Sequence, residues 1–254
     1  DFKKMKISII TVCLNSDKTI EKTINSVVSQ DYDNIEYIII DGGSNDNTLN
    51  IINKYKNHIK TIVSEKDNGI YDGINKGIKK ASGEIISLIH ANDIFVDKNV
   101  ISKVANFFKD NVACDIVLAD LAFKKNLDEK KITRYYSSRN FKSWMLKIGY
   151  SPPHLSTFIR SRVFRQVGLY QTNFKIAGDF DYFVRCFLKH KLKFNYLNEC
   201  LIFMSTGGTS GKNILSYLTS SKEINQSLNS NNIYSNIFLT FLRFPVKLIQ
   251  FILK

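Results

Sequence analysis

The 254-residue chain lacks the patterns that would place it in several common classes. Its four cysteines, Cys13, Cys114, Cys186 and Cys200, include no CxxC pair. That argues against a disulfide scaffold or a cysteine zinc site and leaves them as buried small hydrophobes in a reducing compartment. No GxGxxG follows the first apolar run and no GxxxxGK[ST] occurs, so the usual glycine-rich phosphate cradles are absent. The opening DFKKMK is charged, and no secretory signal is expected ahead of the first strand. Lysine and arginine number 36 against 23 aspartates and glutamates, a formal charge of +13. These cations are spread along the chain, with no RNP or zinc-finger spacing, which argues against nucleic acid. An anionic membrane surface or a polyanionic substrate remains.

What is present is an alternation. Apolar runs KISIITVCL (6–14), IEYIIID (35–41), KTIVSE (60–65) and EIISLIH (84–90) are each followed by apolar residues at helical spacing. Continuously apolar strands separated by helices predict an α/β fold with a mostly parallel sheet, covered by helices. In such sheets the ligand crevice lies outside the carboxyl ends of the strands. Each run ends in polar residues, Thr11 to Asn15, Asp41 to Ser44, Glu65 to Asn68, and Asn92-Asp93. With no glycine-rich cradle, a diphosphate would be neutralised by a divalent cation on a strand-end carboxylate, and Asp93 is suitably placed.

The second half is less regular. DIVLADLAF (115–123) predicts a strand, KITRYYSS a partner for it, and FKSWMLKIG a short helix. The two prolines of SPPHLSTFIR (151–160) force an extended loop into a strand. GDFDYFVRCFLKH (178–190) predicts a helix with Phe180, Phe183, Val184, Phe187 and Leu188 on one face. The tail IYSNIFLTFLRFPVKLIQFILK (233–254) is apolar but interrupted by Arg243, Pro245 and Lys247. That predicts an interfacial helix with cations toward anionic head groups rather than a membrane span, the competing reading being a helix docked on the protein's own core.

Three segments, 6–48, 64–95 and 153–185, together resemble family 2 bacterial glycosyltransferases of the GT-A fold, similar to enzymes of O-antigen, capsule and exopolysaccharide biosynthesis. The resemblance spans about residues 6 to 210. It implies a glycosyltransferase domain over 1–210, with a nucleotide-binding half to about 123 and an acceptor half from about 124, followed by a helical appendage over 211–254. It assigns Thr11 and Asn15 to a loop facing the nucleotide, Asp41 to the base, and Asp67, Asp72 and Asn75 to the segment closing over base and ribose. Asn92 matches the first position of a DXD-like pair, near the ribose, and Asp93 the metal-binding second position, for Mn²⁺ or Mg²⁺. Relatives carry Asp where Asn92 stands, so one negative charge is lost here. Asp179 matches the general base of a Glu-Asp pair whose Glu is replaced by Gly178. Asp181 is the alternative, about 200° away on a helix. His154 falls on the acceptor or phosphate side, and GGTSG (207–211) is expected as a mobile loop over the diphosphate, the competing reading being a plain linker.

The expected activity is inverting transfer of a hexose-type sugar from a nucleotide sugar, UDP-linked, to a lipid-linked saccharide. The site of action is the cytoplasmic membrane face, where the tail meets an anionic surface. The rival reading is a non-catalytic nucleotide-sugar or polysaccharide binding module with a degraded metal site.

Overall fold

The computed structural model describes residues 4–205 and 214–243. The GGTSG segment and the tail beyond Arg243 lie outside the described residues. Strand β1 (Ile7–Cys13) is buried along its whole length, as its isoleucines demand. It pairs in parallel with β2 (Ile35–Asp41) on one side and β4 (Ile85–Leu88) on the other, and β2 pairs in parallel with β3 (Thr61–Ser64). Helix α1 (Ile20–Val28) follows β1 and buries Ile20, Thr23, Ile24 and Val27. α2 (Thr48–Lys54) and α3 (Ile70–Lys80) follow β2 and β3. The expected α/β order is therefore present, with four parallel strands sending their carboxyl ends to one rim.

The sheet then changes character. β5 (Asp93–Phe95) and α4 (Val100–Asp110) lead to β6 (Ile116–Lys124), which takes β7 (Ile132–Tyr136) as its antiparallel partner. β8 (Thr157–Arg160) lies antiparallel between β4 and β6. After α5 (Ser161–Val167) and α6 (Gly178–Phe183), β9 (Phe194–Ser205) runs parallel to β6 and antiparallel to β5. The nine strands form one sheet of order β3-β2-β1-β4-β8-β6-β9-β5, with β7 branching from β6. Between Leu118↔Tyr196 and Asp120↔Cys200 the β9 strand carries two extra residues, a bulge in its pairing with β6.

Two expectations are corrected. The run 84–90 stops as a strand at Leu88, and Asp93 opens a new strand rather than ending the old one. The three residues of β5 exist because β9, more than a hundred positions later, supplies their hydrogen bonds. The predicted helix over 178–190 is α-helical only to Phe183 and continues as a π-helical turn, Val184–Lys189. Its apolar face is as expected, since Phe180, Phe183, Val184 and Phe187 are all buried.

The chain closes with α7 (Ile214–Ser230) and α8 (Ile237–Phe241). α7 buries Ile224 and Leu228, and α8 contacts α7 and the 3₁₀ turn at Ser143–Ile148. Arg243, expected to face anionic head groups, is instead buried and donates to Ser221 Oγ at 2.8 Å. Tyr234 and Phe238 are 80% and 82% exposed. The start of the tail is thus docked on the protein along one side and apolar toward solvent on the other.

At the rim opposite the strand carboxyl ends, Glu36 of β2 is buried and accepts from Lys6 Nζ, Ser8 Oγ, Ser82 N and Ser82 Oγ. Burial pushes its pKa up from 4.5, but these four donors outweigh it and hold the carboxyl at about 2. Replacing Glu36 by Gln is expected to cost about 2 kcal/mol at pH 7, the worth of hydrogen bonds to a charged group. The folded pKa lies below the unfolded one, so this contribution is full above about pH 4.5 and vanishes as pH falls toward about 2. Urea denaturation of both proteins at pH 7 and pH 3 checks it, the difference shrinking at the lower pH.

Candidate active site

The loops after β1 and β2 are stapled together. Asn15, in the left-handed region at φ 47°, donates its N–H to Ser44 Oγ at 2.7 Å and accepts from Asn45 N through Oδ1 at 3.0 Å. Asn tolerates that conformation better than most side chains. Asp41 is fully buried and spends its carboxylate on the turn it begins. It accepts from the N–H groups of Gly43 and Ser44, from Ser44 Oγ, and from Ser64 Oγ at 2.7 Å. Thr11, expected in the loop, lies inside β1 instead, with its hydroxyl 3.0 Å from that of Tyr37 in the core. Alternation along the strand turns it inward.

The β3–α3 segment adds a second carboxylate layer. Asp67 packs between Gly42 and Gly73 and meets Lys76 Nζ at 2.6 Å, while Glu65 and Asp72 reach the same ammonium at 3.0 and 3.4 Å. The hydrogen bond that Lys76 donates to Asp67 is the largest of the effects that raise the Lys76 pKa. Asp72 accepts the N–H of Asn68 at 3.0 Å and so closes the turn into α3. Asn75 was expected over the base and ribose. It is buried, and both halves of its amide are used by Tyr170, whose carbonyl accepts at 2.8 Å and whose N–H donates at 2.9 Å. Asn75 therefore ties α3 to the segment ahead of α6.

At the end of β4 the chain turns through His90, whose carbonyl accepts the N–H of Asp93 at 3.0 Å. Thr23 Oγ1 of α1 holds the Asp93 carbonyl at 2.8 Å, and Asn92 Nδ2 donates to Ser205 Oγ. The Asp93 side chain is 3% exposed, and burial drives its pKa up to about 8, opposed only by a hydrogen bond from the Ser205 backbone. A buried carboxyl so poorly compensated fits a cation partner. Among the described residues no three His, Cys, Asp or Glu side chains gather to hold a metal. The donor set suits a divalent ion that takes one carboxylate from the protein and its other ligands from phosphate and water.

Facing this corner, His154 Nε2 lies 2.7 Å from the Tyr170 hydroxyl, and its ring meets Tyr170 and Phe183 edge-on. Burial lowers the His154 pKa to about 4. His90 is lowered to about 4 as well, first by burial and then by His154, so both imidazoles are neutral at pH 7. His90 Nδ1 is buried without a hydrogen-bond partner among the described residues. Tyr170 stacks on Tyr71 of α3 at 6.0 Å, and Tyr71 leads to Asp179. Its hydroxyl donates to the Ile176 carbonyl at 2.7 Å and accepts the Asp179 N–H at 3.3 Å. Asp179 is half-buried in the first turn of α6 and accepts its neighbour's N–H at 2.8 Å. Asp181 points the other way, into an ion pair with Arg185 at 2.8 Å. A Cβ on Gly178 would sit 2.7 Å from the Tyr71 ring, so the ring occupies the room a larger residue would need.

Contacts thus run from His154 through Tyr170 and Tyr71 to Asp179, while Asp93 and His90 share the turn after β4. The sequence reading missed His90, Tyr71 and Tyr170. His90 was visible as a polar residue closing an apolar run, and Tyr71 lies inside the DNGIYDGIN segment. Tyr170 carried no local signal.

The description "Glycosyl transferase family 2" matches residues 8–167. A PGL/p-HBAD biosynthesis glycosyltransferase of Mycobacterium bovis is 26% identical over 194 residues, covering 75% of this chain and 73% of the relative. S. aureus TarS 1-349, solved in complex with UDP-GlcNAc, superposes with a TM-score of 0.68 at 18% identity, covering 88% of this chain and 66% of that one. The chain spans 40% of a longer TarS structure. The mannosyltransferase PcManGT of Pyrobaculum calidifontis, solved with GDP-Man and Mn²⁺, gives 0.65 at 13% identity, covering 90% of this chain and 64% of that one. At those identities the structures show a shared GT-A fold.

A Cβ at position 73 would meet Asp67 Oδ2 and Val12 Cγ1, each at 2.7 Å. Gly73→Ala is therefore expected to destabilise by about 1–3 kcal/mol, as overpacking does. Thermal melting reads the loss.

Proposed function

The chain belongs to glycosyl transferase family 2, and from that premise we propose that it is an inverting glycosyltransferase. It moves a hexose-type sugar from a UDP-linked donor to a hydroxyl of a lipid-linked saccharide in bacterial surface polysaccharide biosynthesis. The observation that supports the reading is the buried, poorly compensated Asp93 carboxyl at the strand-end rim, together with the contacts that join His154 through Tyr170 and Tyr71 to half-buried Asp179.

In this reading Asp179 takes the proton of the acceptor hydroxyl. The hydroxyl oxygen forms its bond to the anomeric carbon from one face as the carbon–oxygen bond to the diphosphate breaks on the other, and the electron pair leaves with the diphosphate. Asp93, with Asn92 beside it, would hold Mn²⁺ or Mg²⁺, whose charge stabilises the departing diphosphate. Asp67 and Asp72 stand on the nucleoside side, while Asp41, expected at the base, has its carboxylate spent on its own turn and with Asn15 fixes the loops there. Thr11 and Asn75 support those walls from within. His154, neutral at pH 7, offers a polar contact that adds no cation beside the diphosphate.

One observation favours the binding-module reading, namely that Asn92 stands where a second carboxylate would strengthen metal binding. Donor hydrolysis assayed with and without Mn²⁺ separates the two, since a binder gives none.

The peripheral membrane placement, at the inner face, is supported by the +13 charge and by the exposed Trp144, Tyr234, Phe238 and Leu242. No helix among the described residues is long and apolar enough to cross a membrane.

Asp179→Asn is expected to lower transfer by about 10²–10⁴, the usual worth of a general base, while donor binding persists. Transfer at the wild-type rate removes the base assignment. Asp93→Ala is expected to abolish metal-dependent donor binding in calorimetric titration. The double substitution Tyr234→Ser with Phe238→Ser is expected to weaken pelleting with anionic vesicles without lowering the melting point. Unchanged pelleting removes the membrane placement.

A further inference from the structure

α6 has six residues, and its first turn carries Asp179. The N–H groups entering a helix have no partner within it and must find one elsewhere. Ala177, at the N-cap, has no side-chain acceptor to offer. The N–H of Ala177 and the two N–H groups ahead of it find their acceptor on α7, while those of Asp179 and Phe180 go to the Tyr71 hydroxyl and the Asp179 carboxylate. Glu223 takes the N–H of Lys175 at 2.9 Å through Oε1, and those of Ile176 at 2.9 Å and Ala177 at 2.8 Å through Oε2. The Glu223 side chain lies at 8% exposure, with its charge at the end of α6 where the helix dipole favours it. The carbonyl of Ile176 is held from the other side by the Tyr71 hydroxyl at 2.7 Å. The entry to α6 is therefore gripped through the N–H groups of residues 175–177 and through the carbonyl of Ile176, just ahead of Asp179.

The grip continues along α7. Ser227 Oγ donates to Asp181 Oδ1 at 2.9 Å, and Asn231 Nδ2 reaches the same oxygen at 3.2 Å. Positions 223, 227 and 231 recur every four residues and so share one face, turned toward α6. Asp181, the carboxylate that does not face the cleft, is the second anchor. Together the anchors fix both the rotation of α6 about its axis and the height of its first turn.

We infer that Glu223 is a positioning residue, which with Tyr71 sets the direction in which Asp179 points. The inference rests on the reading of Asp179 as the base. A carboxylate displaced by about 1 Å loses on the order of a hundredfold in rate, because the proton it must take lies within a narrow range of distance and angle. Glu223 touches neither the nucleotide loops nor the Asp93 corner, so its loss is felt in turnover and not in donor binding.

The test uses the full chain and a UDP-sugar that it turns over. Glu223→Gln keeps the size but puts an NH₂ group against at least one backbone N–H. It is expected to lower kcat by about 10- to 100-fold with the calorimetric donor Kd within about twofold. Hydrogen exchange at Lys175, Ile176 and Ala177 is expected to quicken. Combined with Asp179→Asn, it is expected to add no further loss, because the group it positions is already gone. A parallel loss of donor affinity, or a further tenfold loss in the double variant, overturns the inference and makes Glu223 a general structural residue. If Glu223→Gln does not fold, Tyr71→Phe, which removes one oxygen, is read the same way, and full turnover in it overturns the inference. Wild-type transfer by Asp179→Asn condemns the base assignment itself. A dead Asp179→Asn beside a fully active Glu223→Gln condemns only the role given to Glu223.

Discussion

The parallel register of β1 against both β2 and β4 is the constraint on which the site depends. Ile10 is paired with Ile38 on one side and with Leu88 on the other, and all three are buried. With the strands in that register, Cys13, Asp41 and Ser64 end at one level, and the turns that follow emerge side by side. A slip of one residue in β2 would turn Asp41 to the opposite face, away from the serines that hold it, and carry its apolar neighbours with it. Apolar burial therefore aligns the polar residues.

The buried carboxylates divide by what answers them. Asp41 and Glu223 are met by backbone N–H groups, and Glu36 by a lysine and two serines. Asp181 is met by an arginine. Asp93 alone among these is driven to about 8, since one backbone hydrogen bond does not offset its burial. The same chemical group is satisfied in four places and poorly compensated in a fifth, and the difference lies in the number of donors supplied to it. The neutral state of His90 and His154 belongs to the same picture, because burial disfavours the charged form of an imidazole as it does that of a carboxyl.

The strand–helix alternation to about residue 110 was legible because each run of isoleucines is local and complete. The loop carboxylates were legible as polar stops on apolar runs. Less legible were features made by distant partners. β5 is three residues long and depends on β9, so no window around Asp93 contains its cause. Thr11 and Asn75 lie in the segments that the resemblance pointed to, yet both side chains are spent inside the protein. Thr11 faces Tyr37 across one strand spacing, and Asn75 reads the backbone of Tyr170. Glu223 sits on a helix of otherwise polar composition, and only its four-residue spacing to Ser227 and Asn231 set it apart.

The contact between Gly178 and the ring of Tyr71 leaves a trace in how the sequence can change. Enlarging residue 178 first drives a side chain into an occupied space. Shrinking residue 71 first opens a void and frees the Ile176 carbonyl. Neither order offers a neutral intermediate, so the two positions exhibit reciprocal epistasis. A lineage that has settled on glycine with tyrosine is held there by packing, even if another pairing would serve the chemistry equally well.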